Sequence, residues 1–176
     1  MAETRRRTGA PGRRSSRAYV LEVGIMSGPV APEFARRHPV VIRTIHIRED
    51  QTLADLHRAI FKAFNRYEEH FYEFQFGDGP HDPNAERYVL PSVIENADAG
   101  RNKPAGSVDS TTIGSLGLTY GKTFGYWFDF GDDWYHQIRV ATMGLASKRY
   151  RYPRVTRRIG PSPPQYADPD EEGATK

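Results

Sequence analysis

Six side chains in this 176-residue chain have the types that could do chemistry: His70, Glu73, Asp129, Asp132, Asp133 and His136. Carboxylates and imidazoles suit a divalent ion. Two carboxylates can clamp such an ion while a histidine moves a proton, the chemistry of a metal-dependent hydrolase or nuclease. His70, Glu73, Asp129, Asp132 and His136 are therefore the catalytic and metal-ligand candidates, and a divalent metal is the cofactor they admit. Each also has a structural use. Asp132 and Asp133 are adjacent, so on an extended chain they point to opposite sides. Aspartates in a Gly131-Asp132-Asp133 turn bond their own backbone amides. His136 lies among aromatics, and Glu73 and Asp129 can each meet Arg43 on a neighbouring strand. The balance favours structure, which makes the chain a binding module first and an enzyme second.

The stretch that must position these groups is Lys122 to Ile138, KTFGYWFDFGDDWYHQI. Phe124, Tyr126, Phe128 and Phe130 alternate with Trp127 and Asp129, the period-two pattern of a strand. After the turn, Trp134, His136, Ile138 and Val140 share one face and Tyr135, Gln137 and Arg139 the other. This is an aromatic core hairpin. Earlier in the chain, Tyr19, Leu21, Val23 and Ile25 mark a first strand, and Val41, Ile45 and Ile47 a second. Arg43 falls on the apolar side of that second strand. Thr52 and Asp55 predict an N-capped helix with Leu53, Leu56, Ile60, Ala63, Phe64 and Tyr67 in one stripe and Arg58, Lys62 and Arg66 opposite. A third strand runs from His70 to Phe76, with Tyr72, Phe74 and Phe76 on one face. Glu86 to Leu90 reads as a short fourth, and Thr112 to Leu118 as a helical turn.

These elements predict an α+β roll, a mixed or antiparallel sheet wrapped around one main helix. The domain spans residues 18–166 and contains a flexible loop over 91–110. A disordered basic arm precedes it over 1–17, and an acidic disordered tail follows over 167–176. The 21 aromatic residues let a core form although only 38% of the chain is hydrophobic. The absence of cysteine excludes disulfides and thiolate metal sites. No apolar run approaches the ~20 residues that span a bilayer, and no secretory segment follows the N-terminal arginines. A cytoplasmic protein is expected.

The net charge of +3 is modest, but its distribution is blocky. Arg5, Arg6, Arg7, Arg13, Arg14 and Arg17 crowd the start, and Lys148, Arg149, Arg151, Arg154, Arg157 and Arg158 form a second block. Arg149-Tyr150-Arg151-Tyr152 interleaves cations with aromatics, as single-strand binders do. The predicted binding residues are Asp133, Trp134, Tyr135, Arg149 and Arg151. The partner is nucleic acid or a protein docking on exposed aromatics such as Tyr135. Gly77-Asp78-Gly79 lacks the length and the following lysine of a phosphate loop.

TLADLHRAI at 52–60, HFYEF at 70–74 and YWFDFGDDWYHQI at 126–138 together resemble the plasmid pRiA4b ORF-3-like proteins. The resemblance covers roughly residues 18–166. It implies a compact α+β fold and a plasmid or mobile-element setting, and it supplies no reaction. The family's C-terminal Y-P-x-C and C-P-P-E-D elements correspond to Tyr152-Pro153-Arg154-Val155 and Ser162-Pro163-Pro164. Val155 and Ser162 stand where cysteines would, so no thiol-dependent role carries over.

Overall fold

The computed structural model describes residues 16–96 and 103–166. Eight strands form one sheet: β1 (Arg17–Ser27), β2 (Ile42–Arg48), β3 (Tyr72–Phe76), β4 (Glu86–Val89), β5 (Gly106–Ser107), β6 (Thr123–Phe128), β7 (Trp134–Leu145) and β8 (Arg154–Ile159). Their spatial order is β5-β4-β3-β6-β7-β1-β2-β8. Every pairing is antiparallel except the short parallel β4–β5 contact. Among the described residues three helices accompany the sheet: α1 (Pro32–Arg37), α2 (Leu53–Ala63) and α3 (Pro91–Glu95). The fold is thus a sheet-dominated α+β domain in which α2 is the longest helix. Among the described residues no helix is long and apolar enough to cross a membrane.

The alternation read along the chain becomes the core face of this sheet. Tyr19, Leu21 and Val23 of β1, Ile45 and Ile47 of β2, Phe74 of β3, Phe124, Tyr126 and Phe128 of β6, and Trp134, Ile138 and Val140 of β7 are all buried on it. Leu53, Leu56, Ile60 and Ala63 of α2 close over them. The helix begins at a complete capping box: the Thr52 side chain accepts from the Asp55 amide, and the Asp55 carboxylate accepts from the Thr52 amide. It stops sooner than the stripe predicted. Asn65 adopts φ 55°, which turns the chain away from the helix axis. Tyr67 is therefore exposed, while Arg66, expected on the solvent side, is buried.

Three further differences concern segments with little apolar pattern. The basic block contains β8, which pairs with β2 along the edge of the sheet and so needs few apolar residues. The flexible stretch expected over 91–110 contains α3 and β5, and Val108 is fully buried, with its amide bonded to the Val89 carbonyl. Residues 97–102 of that stretch lie outside the described residues, as do the expected arm over 1–15 and tail over 167–176. Arg17, expected at the end of the arm, begins β1 and pairs with Glu49.

Candidate functional site

The β6–β7 turn is organised by Asp129, which sits at φ 55° with its side chain almost fully buried. Its amide donates to the Phe71 carbonyl, its carbonyl accepts from the Asp133 amide, and Oδ1 accepts from the Asp132 amide at 3.4 Å. The self-bonding expected of the Gly131-Asp132-Asp133 turn is thus carried by the aspartate before it. Oδ2 of Asp129 faces His70 Nε2 at 3.4 Å, and the same nitrogen lies 2.9 Å from the Tyr166 hydroxyl and 3.8 Å from Glu68. Burial first, and the Glu68 carboxylate next, push the Tyr166 hydroxyl up to about 12. His70 is two-thirds shielded here. The Tyr166 hydroxyl ties it to the C-terminal segment and the Asp129 carboxylate ties it to the turn.

Glu73 lies elsewhere. It projects from the other face of the sheet, 1% exposed, and grips Arg87 of β4 through both carboxylate oxygens, with Nε–O distances of 3.0 and 3.1 Å. Gln75 donates to the same carboxylate at 2.7 Å. Tyr135 shares this face and is also buried, not exposed as docking through it would require, because the loop after β3 folds over it. His81 of that loop packs against both Tyr135 and Trp127, and its ring bonds Asp133 at 3.2 Å. Gly125 makes the arrangement possible, since a Cβ there would overlap the Tyr135 hydroxyl.

His136 and Trp134 point the opposite way, into the core. His136 is 1% exposed, its ring lies against Phe64 and Tyr126, and neither nitrogen makes a well-formed hydrogen bond. Burial foremost, then the Arg66 charge, lower its pKa to about 3 against a smaller opposing pull from the Tyr126 backbone. The Trp134 indole donates to the Gln165 carbonyl at 3.0 Å, and the Arg66 guanidinium stacks 3.7 Å from the Trp134 ring. Gln165 in turn accepts from the amides of Tyr67 and Glu68 and donates to the Glu68 carbonyl. The Ser162–Tyr166 segment is a strap over this part of the core.

The five catalytic candidates therefore fall in three places: His70, Asp129 and Asp132 at the turn, Glu73 on the far face, His136 in the interior. Among the described residues no three His, Asp or Glu side chains come together in a way that could hold a metal ion. Nor does Arg43 meet Glu73 or Asp129. It is fully buried and donates only to neutral acceptors: the carbonyls of Ala63, Ile42, Ile159 and Gly160, and the Ser162 hydroxyl. Ser162 is thus a hydrogen-bond acceptor for a buried cation.

A further polar histidine, His57, is not among the sequence candidates. It falls on the apolar stripe of α2 three residues before Ile60, and that position was the available signal. Its Nδ1 lies 2.8 Å from the buried Tyr126 hydroxyl and its Nε2 3.1 Å from Glu69, while its ring stacks on Tyr72 at 3.6 Å. Burial lowers its pKa to about 4, outweighing the nearby Glu69 carboxylate.

The remaining charged feature is the β8 edge. Cross-strand register puts Arg154 beside His46 and Arg157 beside Thr44 on the open face of the sheet, and Arg158 beside Arg43 on the α2 face. Lys148, Arg149 and Arg151 in the β7–β8 connection are exposed. Among the described residues none of these six cations has a carboxylate partner, whereas the acids nearest in sequence to β2 are engaged: Glu49 by Arg17 and Asp50 by Arg48. The aromatics interleaved with them have structural duties. Arg154 covers Tyr150 at 3.9 Å, and the Tyr152 hydroxyl accepts from the Ser147 amide.

Comparison with known proteins supports the same architecture without adding a reaction. The crystal structure of the protein of unknown function MM3350, from Methanosarcina mazei Go1, superposes with a TM-score of 0.61 at 22% identity, over 81% of this chain and 70% of that one. No curated protein matches the chain. The family model described as plasmid pRiA4b ORF-3-like protein matches residues 33–168, a span that contains α2, α3, β2–β8 and the aromatic hairpin. The chain belongs to the plasmid pRiA4b ORF-3-like family.

Proposed function

We propose that this protein is a non-catalytic binding module whose partner is nucleic acid, held through its phosphate backbone by the basic β8 edge. The observation that supports the reading is the row of cations that have no acidic partner among the described residues: Lys148, Arg149 and Arg151 in the β7–β8 connection and Arg154 and Arg157 on the open sheet face. A buried or paired arginine is explained by its partner. A row of cations on an edge strand and the connection before it, without acidic partners among the described residues, is a surface that releases counterions when a polyanion replaces them. Lys148, Arg149, Arg151 and Arg157 are exposed, and the half-buried Arg154 lies flat on the Tyr150 ring, which holds its guanidinium in place. Backbone contacts of this kind carry little sequence information, so binding should be sequence-tolerant.

The metal-dependent hydrolase or nuclease is the lesser reading, because its candidate ligands project to three separate places around the sheet. The test is fluorescence anisotropy with a labelled single strand and a labelled duplex, on the wild type and on a triple variant, Arg149→Glu, Arg151→Glu and Arg157→Glu. All three side chains are exposed, so the fold should survive. The expected result is binding at low salt that the variant loses by at least tenfold. Equal binding by both proteins, with the variant folded, would remove the edge from the account.

A further inference from the structure

The other side of β8 carries a second charged feature. Between α2 and β8 lies a cleft of about 410 Å3, within the range of small-ligand sites, lined by Arg58, Lys62 and Arg158 with Asp55 as its one carboxylate and Pro153 and Val155 along its wall. Three cations and one carboxylate leave the lining with two net positive charges. Asp55 is already committed, since it accepts from the Thr52 amide and from Arg58 at 2.6 Å. Lys62 and Arg158 have no carboxylate partner among the described residues.

The surroundings make that charge harder to tolerate without an anion. Arg43 is the cross-strand partner of Arg158 on the same face, and all its contacts are neutral. Burial, and then the Arg158 charge, hold the Arg43 pKa below its ordinary value. The C-terminal end of α2 would normally repel an anion through its free carbonyls. Here the Ala63 carbonyl is taken by Arg43 Nε at 2.9 Å, so that end of the helix is covered by a fixed positive charge. The cations come from a helix and an edge strand, so little backbone ordering is needed on binding.

The geometry points to a phosphomonoester site in this cleft, with Lys62 and Arg158 as the anion-binding side chains and Arg58 orienting against Asp55. The net charge of the lining matches a phosphate dianion rather than the monoanionic diester of a nucleic-acid backbone. The inference deepens the nucleic-acid reading and rests on it for the source of the ligand: a terminal phosphate of a strand whose backbone lies along the opposite face of β8. A free phosphorylated small molecule presents the same chemistry.

The experiment compares a 5′-phosphorylated with a 5′-hydroxyl oligonucleotide of identical sequence, and measures inorganic phosphate binding by calorimetry, on the wild type and on Lys62→Gln. The site predicts at least tenfold tighter binding of the phosphorylated strand, competition by inorganic phosphate for that margin, and loss of the margin in Lys62→Gln. Phosphate binding that Lys62→Gln weakens, with neither oligonucleotide bound, would keep the cleft as a site for free phosphate compounds and overturn the nucleic-acid reading. Equal binding of the two oligonucleotides with no uptake of inorganic phosphate would overturn the cleft and leave the basic edge standing. Arg158→Gln serves as a second variant and should weaken phosphate binding in parallel.

Discussion

Lowering the pH from 7 to 4 should unfold this domain through two histidines that its core holds neutral. His57 is confined by the Tyr126 hydroxyl, the Glu69 carboxylate, the Tyr72 ring and Arg58, and His136 by Phe64, Tyr126, Trp134 and Arg66. Their folded pKa values, about 4 and about 3, both lie below the 6.5 of a free imidazole. The unfolded chain therefore binds more protons. Each histidine's contribution is complete above pH 6.5 and is lost as the pH falls, by about tenfold in the folding constant per pH unit. For the pair this reaches on the order of 6 kcal/mol by pH 4, comparable with the whole stability of a domain this size. Carboxylates held low in the fold, Asp82 by the amides of Asp78 and Asn84 and Glu49 by Arg17, add losses of the same sign from about pH 5 downward, which leaves the window above pH 5 to the histidines. The assay is urea unfolding followed by tryptophan fluorescence at half-unit steps from pH 7.5 to 4.5. His136→Leu is the informative variant, because the ring makes no well-formed hydrogen bond and its removal orphans no partner. It should match or exceed the wild type at pH 7 and show half the pH slope between 6 and 5. A wild-type slope near zero in that range, or a variant slope equal to it, would refute the burial argument.

Other perturbations follow from named contacts. Arg43→Met leaves four carbonyls and the Ser162 hydroxyl without their donor and should cost about 3 kcal/mol or more, read as a fall in the urea midpoint. Gly125→Ala forces a methyl into the Tyr135 hydroxyl and should destabilise by about 1–3 kcal/mol, with Tyr135→Phe in the same chain recovering part of it. Gln165→Ala removes three hydrogen bonds that hold the strap to Tyr67 and Glu68 and should cost about 2 kcal/mol, with faster amide exchange at those two residues.

What the sequence made legible follows from how each element is stabilised. β1, β2, β3 and the hairpin bury one face against α2, so their alternation had to be written in apolar residues. β8 binds one neighbour only, and its backbone ladder asks little of its side chains, so its arginines read as a charge run. The 3.6-residue stripe predicted α2 correctly until Asn65, whose left-handed backbone no periodicity reveals. That turn is what buries Arg66 against Trp134. Among the site candidates, residue type was visible and convergence was not. Glu73 and Phe74 are neighbours in sequence, yet one faces Arg87 and the other the core. The alternation places Arg43 on the apolar face, where it is buried, but its partners include carbonyls of α2, of β8 and of Gly160 just after it, up to 117 positions away.

The most direct test of the nucleic-acid account is the salt dependence of oligonucleotide affinity. For the wild type the logarithm of the association constant should fall linearly with the logarithm of salt concentration, with a slope of about −3 to −4.5 if Arg149, Arg151, Arg154, Arg157 and Lys148 meet four or five phosphates. The Arg149→Glu, Arg151→Glu, Arg157→Glu protein should flatten that slope by about one unit for each phosphate it no longer holds. A slope near zero, or no measurable binding at the lowest salt, would contradict it.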